Sequence, residues 1–180
     1  MLSSDRGCRK PRRQLGPAAL LAVVASLWLS ACTVQPVYGS RPGGESVERT
    51  LRSIAIESVD SRVAQEVRNK LVFYLTGGGE VADPLYRMRL RVASSETALG
   101  INREGSAPVY SVSVTVSYSL TKIGSDDIIL RETARGTASY DRSNQNFANI
   151  RAKLDAENRA AAQAADEVRI RVAAATAVGF

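Results

Sequence analysis

The chain has 180 residues, no histidine, two cysteines, 24 Lys/Arg against 18 Asp/Glu, and a formal net charge of +6. Without histidine there is no Ser-His-Asp triad and no imidazole base, and with so few thiols the usual zinc and copper ligand sets are missing. Much of the positive charge sits in the first 31 residues, which hold five Lys/Arg and one acidic group; residues 32–180 are left with 19 basic and 17 acidic groups, too balanced for a nucleic-acid footprint. The chain opens with Arg6, Arg9, Lys10, Arg12 and Arg13, runs apolar from Pro17 to Leu29, and reaches small residues at Ser30 and Ala31 before Cys32. A basic start, a short apolar run and small residues before a cut make a secretory signal peptide, and the run is too short for a membrane-spanning helix of about 20 residues.

The order Leu29-Ser30-Ala31-Cys32 is similar to the lipobox of bacterial lipoproteins, in which the leader is cut just before the cysteine. That likeness implies three parts: residues 1–31 as a cleaved leader, 32–50 as a lipidated N-terminus and tether, and 51–180 as a single α+β domain. It also implies diacylglyceryl and acyl groups on Cys32 as the only covalent additions and no other cofactor. Each buried CH₂ of such chains is worth about 0.8 kcal/mol, so several chains on one residue hold a domain at a bilayer. Cys8 leaves with the leader, so no disulfide pair remains and the domain depends on its packed core.

Beyond the anchor, Pro36, Gly39, Pro42, Gly43 and Gly44 mark an irregular tether. Ser53 to Glu57 reads as a short strand with Ile54 and Ile56 on one face. Asp60 or Ser61 can cap a helix whose stripe is Val63, Val67, Leu71 and Leu75, with Glu66 and Lys70 as an outer i,i+4 pair. Gly77-Gly78-Gly79 ends that helix; no motif lysine follows, so a phosphate loop is the weaker reading.

Three strands come next. In the first, Tyr86, Met88, Leu90 and Val92 point inward and Arg87, Arg89 and Arg91 outward. A longer loop from Leu99 to Pro108, with Arg103 at its tip, leads into the second, where Tyr110, Val112, Val114, Val116, Tyr118 and Leu120 alternate with Ser and Thr. Strict alternation means one buried face and one polar face. A hairpin at Gly124 to Asp127 leads into the third, in which Ile128, Leu130, Ala134, Ala138 and Tyr140 would face in and Arg131 and Arg135 out. A long helix from about Ala148 to Ala175 follows, with Ile150, Leu154, Ala161, Ala165, Val168 and Val172 as its buried stripe. The order β-α-β-β-β-α predicts a two-layer α+β sandwich, a four-stranded largely antiparallel sheet with two helices on one face. The place of the first strand in the sheet is open. The carboxylate pairs Asp126-Asp127 and Asp166-Glu167 fall in a turn and on a polar helix face, which is no arrangement for acid–base chemistry.

The uncovered sheet face would carry Arg87, Arg89, Arg91, Arg131 and Arg135 among Ser and Thr. From the residues alone it suits a solvated surface, a polyanion, an acidic protein wall, or the polar interior of a membrane β-barrel. It has too little apolar surface for dimerisation.

Taken together, the motifs resemble those of the lipopolysaccharide-assembly lipoproteins of the LptE type. Cys32-Thr33-Val34-Gln35-Pro36-Val37-Tyr38 is similar to that family's Cys-Gly-Phe-x-Pro-Leu-Tyr opening, with Thr33 and Val34 as departures. Gln65 to Leu71 resembles its first helix, Asn102-Arg103-Glu104-Gly105 its loop before the next strand, and Ser139-Tyr140-Asp141 with Ala152-Lys153 the approach to its last helix. The resemblance implies a non-enzymatic lipoprotein on the periplasmic side of the outer membrane. Its partners would be a large β-barrel translocon subunit, which it plugs and helps to assemble, and lipopolysaccharide, contacted through Arg103 and Lys153. The arginine face would be the surface that docks inside the barrel. The alternative is a periplasm-facing scaffolding lipoprotein with no barrel partner.

Overall fold

The computed structural model describes residues 44–79, 81–100, 109–125 and 127–179. The leader, Cys32, the tether up to residue 43, Arg103 and Asp126 lie outside the described residues. The elements are α1 (Gly44–Arg52), β1 (Ile54–Ile56), α2 (Arg62–Thr76), β2 (Tyr86–Leu99), β3 (Val109–Lys122), β4 (Ile128–Asp141) and α3 (Asn146–Val178).

The sheet has the order β1-β2-β3-β4, with β1 parallel to β2 and the other pairs antiparallel. The α+β expectation holds, and the first strand takes the edge beside β2. Alternation sends Met88, Leu90, Val112, Val114, Val116, Tyr118, Leu120 and Ala134 into one core under the helices. Tyr118 is fully buried, and its hydroxyl donates to Glu132 at 3.1 Å, so the polar tip of an aromatic core residue finds a partner.

Helix α2 starts at Ser61, whose hydroxyl accepts from the Ala64 amide at 3.2 Å. It buries Ala64, Val67, Leu71 and Leu75, and it ends where Gly77 adopts φ +78°, a left-handed cap that a side chain would resist. Glu66 and Lys70 stand 3.9 Å apart on its outer side. Helix α1 is an addition to the two helices expected. Its Val47 and Leu51, four residues apart, are buried in the common core, and Glu48 pairs with Arg52 at 2.6 Å on its outer side. One apolar pair beside Gly43-Gly44 is too short a pattern to distinguish from a tether.

Helix α3 is lined by alanine: Ala156, Ala160, Ala161, Ala164 and Ala165 are fully buried, with Val168, Val172 and Ala173 beyond them. These small side chains let the helix backbone lie almost on β4. At Gly136, opposite Val114, an added Cβ would stand 2.0 Å from the Ala160 carbonyl oxygen and 2.6 Å from the Ala164 nitrogen. Helix α3 also closes the free edge of β4. Arg171 donates to the Thr133 carbonyl and Arg159 to the Ser139 carbonyl, both at 2.9 Å, and Gln163 accepts from the Thr137 amide at 2.8 Å.

Two expected core positions lie elsewhere. A bulge shifts the register of β4 between its pairing with Leu120 and with Thr121, so that Thr121 faces Ile128 rather than Ile129. Ile128 therefore joins the polar face and is exposed. Ile150 is also exposed, because the first turns of α3 run past the end of the core; Leu154 is only partly buried there.

Candidate functional site

The outer sheet face is as the alternation requires. The register places Arg87, Arg89 and Arg91 of β2 opposite Thr121, Ser119 and Ser117 of β3. Arg131, Thr133 and Arg135 of β4 stand opposite Ser119, Ser117 and Thr115. All five expected arginines thus share one exposed face with the hydroxyls, which include a Ser117–Thr133 contact at 3.2 Å. Large apolar side chains on the described strands of this face stand at its ends, Ile128 at one and Leu99 with Val109 at the other.

The arginines are not equivalent. Glu57, just past β1, accepts from Arg89 at 3.0 and 3.3 Å and lies 3.9 Å from Arg87. The hydrogen bond to Glu57, with its negative charge, raises the Arg89 pKa further. Sequence reading overlooked Glu57; a carboxylate one step past the Ile54–Ile56 strand is the signal for it. Two grooves run along this half of the face. One of about 400 Å³ lies among Arg89, Arg91, Ser117, Ser119 and Arg131, and one of about 300 Å³ among Arg87, Arg89, Ser119, Thr121 and Arg131.

A second cluster occupies the inner face at the opposite end, beneath the first turns of α3. Lys153 donates to Glu96 at 2.5 Å, and the Tyr140 hydroxyl donates to the same carboxylate. Tyr140 stacks on Tyr110, ring centres 5.7 Å apart, and the Arg142 guanidinium lies 4.8 Å from the Tyr110 ring centre. The hydrogen bond from Lys153, then that from Tyr140, lowers the Glu96 pKa. Burial, then the hydrogen bond to Glu96, pushes the Tyr140 phenol up to about 12. A cavity of about 380 Å³ opens between Glu96, Arg142, Asn149 and Lys153. Asn149 ties down the turn before α3: its amide donates to the Ser143 carbonyl and accepts from the Ser143 N–H, both at 2.8 Å. Lys153 is therefore an ion-paired side chain in a built polar corner. Arg103 lies outside the described residues. The strand ends flanking its loop, Leu99 and Val109, are three register pairs beyond Glu96 and Val112, at the Lys153 end of the sheet. Glu96 was not singled out in the sequence, although a carboxylate at an inward position of β2 marks a place where the core has ended.

The family model for lipopolysaccharide-assembly proteins, LptE, matches residues 51–172, which takes in all four strands, α2 and most of α3. The chain belongs to the LptE family. Three solved structures share the fold of this LptE-family chain. A candidate lipoprotein from Caulobacter crescentus is 24% identical, aligned over 75% of this chain and 98% of its own, with a TM-score of 0.64. The rare lipoprotein B of Shewanella oneidensis is 17% identical over 69% of this chain and 96% of its own, TM-score 0.53. An uncharacterized lipoprotein B from Nitrosomonas europaea is 11% identical over 70% and 83%, TM-score 0.52. No curated protein matches the chain. Helix α1 begins before the matched stretch, so its packing is a feature read from this structure alone.

Proposed function

We propose that this LptE-family protein is a non-enzymatic outer-membrane lipoprotein, held on the periplasmic side by acyl and diacylglyceryl groups on Cys32. In this reading it plugs a large translocon β-barrel, helps that barrel assemble, and contacts lipopolysaccharide on its way to the outer leaflet. The observation that carries the proposal is the family match across the whole sheet and both long helices. The outer face supports it: a broad sheet surface of hydroxyls and arginines suits the polar lumen of a membrane barrel better than an apolar partner. Arg103 and Lys153 are the residues proposed for lipopolysaccharide. The phosphates of lipid A would compete with Glu96 for the Lys153 ammonium, and charge-assisted hydrogen bonds are the strong way to hold such groups.

The test is recovery of the tagged full-length chain from its own membranes in mild detergent. A large outer-membrane barrel in near one-to-one amount supports the proposal, and lipopolysaccharide binding can then be compared between the parent and Arg103→Ala or Lys153→Ala. Recovery of the chain alone, under conditions that preserve other membrane complexes, refutes the barrel reading and favours a scaffolding lipoprotein.

A further inference from the structure

Charge on the outer sheet face is confined to one half. The five arginines fall between the Arg87–Thr121 row and the row joining Ala93, Thr115 and Arg135, nearest the β3–β4 turn. The rows beyond carry Ser95, Ser113 and Thr137, then Thr97, Ser111 and Ser139, and the strand ends at Asp141. In the charged half, the short hydroxyl side chains of β3 form the floor of a trough. Arginines from β2 and β4 wall it, on strands about 10 Å apart. The two grooves described above lie in this trough and share Arg89, Ser119 and Arg131.

The walls are not uniformly available. Arg87 and Arg89 converge on Glu57, whereas Arg91, Arg131 and Arg135 have no carboxylate within ion-pair distance among the described residues. These three stand on opposite walls: Arg91 is in the Ser117 row, between the Ser119 row of Arg131 and the Thr115 row of Arg135.

We infer that Arg91, Arg131 and Arg135 are the contact set for an acidic stretch on the lumen wall of the barrel partner, and that the hydroxyl half of the face lies against neutral polar wall. This rests on the barrel reading above and adds the partner's chemistry and the orientation of docking. A lone phosphate would fill one groove and leave the hydroxyl rows unused, whereas strands of 14 residues, about 45 Å long, match the extent of a protein wall. The one-sided charge also sets direction. End-for-end reversal would move three desolvated guanidinium groups away from their carboxylates and onto neutral wall, and such mispairing is how charge selects register.

The experiment measures the affinity and salt dependence of the full-length chain for the barrel that co-purifies with it. Three exposed ion pairs together support a loss of about tenfold for Arg91→Ser/Arg131→Ser/Arg135→Ser, with a shallower salt dependence. Arg87→Ser/Arg89→Ser should cost less. Glu57→Gln frees two more guanidinium groups and should tighten binding about twofold. Circular dichroism of each variant establishes that it is folded, and the gain expected of Glu57→Gln cannot arise from misfolding. Binding by the triple variant within about twofold of the parent, with the same salt slope, overturns the assignment. So does equal loss from the two arginine sets, or release of the barrel by inorganic phosphate or a diphosphorylated glycolipid at unchanged ionic strength. Absence of any barrel with the parent chain is a different failure: it refutes the proposed function itself.

Discussion

Gly136→Ala isolates how α3 is seated. Alanine in place of glycine in a strand ordinarily gains about 0.5–1 kcal/mol, because glycine loses more backbone freedom on folding. Here the new methyl would meet the Ala160 carbonyl oxygen at 2.0 Å and the Ala164 nitrogen at 2.6 Å. Both are backbone atoms of a 33-residue helix, so no side chain can swing aside. Reaching the 3.4 Å at which ordinary contact begins requires α3 or β4 to give by about 1.4 Å. That movement would loosen the buried row from Ala156 to Ala165. Overpacking a core costs about 1–3 kcal/mol, and a clash with two backbone atoms belongs at the top of that range. For a domain of this size, a loss of about 3 kcal/mol lowers the melting temperature by roughly 10 °C. Thermal and urea unfolding of the parent and variant domain, followed by circular dichroism, reads the effect. A variant that melts at or above the parent would refute the close helix–strand seating, since strand propensity alone predicts that sign.

Other outcomes follow from single contacts. Leu51→Ala should destabilise by about 2–4 kcal/mol in urea unfolding if α1 is part of the common core, whereas an unchanged midpoint would separate α1 from it. Ser61→Ala removes the α2 cap and should cost about 1 kcal/mol in the same assay, with no change in the denaturant slope. The Glu96 carboxyl is held below its ordinary value of 4.5, so its contribution to stability is present above that pH and lost as pH falls through the lower folded value. Lys153→Met should therefore flatten the acid limb of a melting-temperature profile, and an unaltered limb would count against the Lys153–Glu96 pair. Tyr140 shifts the other way, from 10.0 to about 12, so its contribution is present below pH 10 and lost as pH rises through 12. Tyr140→Phe should flatten that alkaline limb, which ultraviolet titration of the phenol can confirm.

Strict alternation made the sheet readable from the sequence. The run from Tyr110 to Thr121 admits one register of inside and outside, and the two flanking strands agree with it wherever their own alternation is clean. Where alternation failed, so did the reading: the bulge opposite Thr121 turned Ile128 outward, and nothing in Asp127 to Leu130 marks the extra residue. Apolar spacing found α2 and the middle of α3, but it cannot show where a helix outruns its core, and Ile150 was lost that way. The candidate site divided along the same line. Arginines at spacing two must share a face, so all five were placed. Their inequality was not, because Glu57 meets Arg87 and Arg89 through the β1–β2 pairing, a contact 32 residues away in sequence for Arg89. Lys153 came only from family resemblance, since its tie to Glu96 spans 57 residues.

The three α3 side chains that bond the outer rim of β4 do more than seat the helix. A strand with only one neighbour displays a row of unpaired amides and carbonyls, which acts as a template for strands from other molecules. Arg159, Gln163 and Arg171 occupy three of those positions, at Ser139, Thr137 and Thr133. Asp155 and Glu167 hold the two arginines in place from one helical turn earlier, each at 2.8 Å. The same helix that builds the core thus guards the domain against stacking into fibrils through that rim. Substituting all three side chains with alanine would be felt first as self-association on standing, before any loss of the native fold.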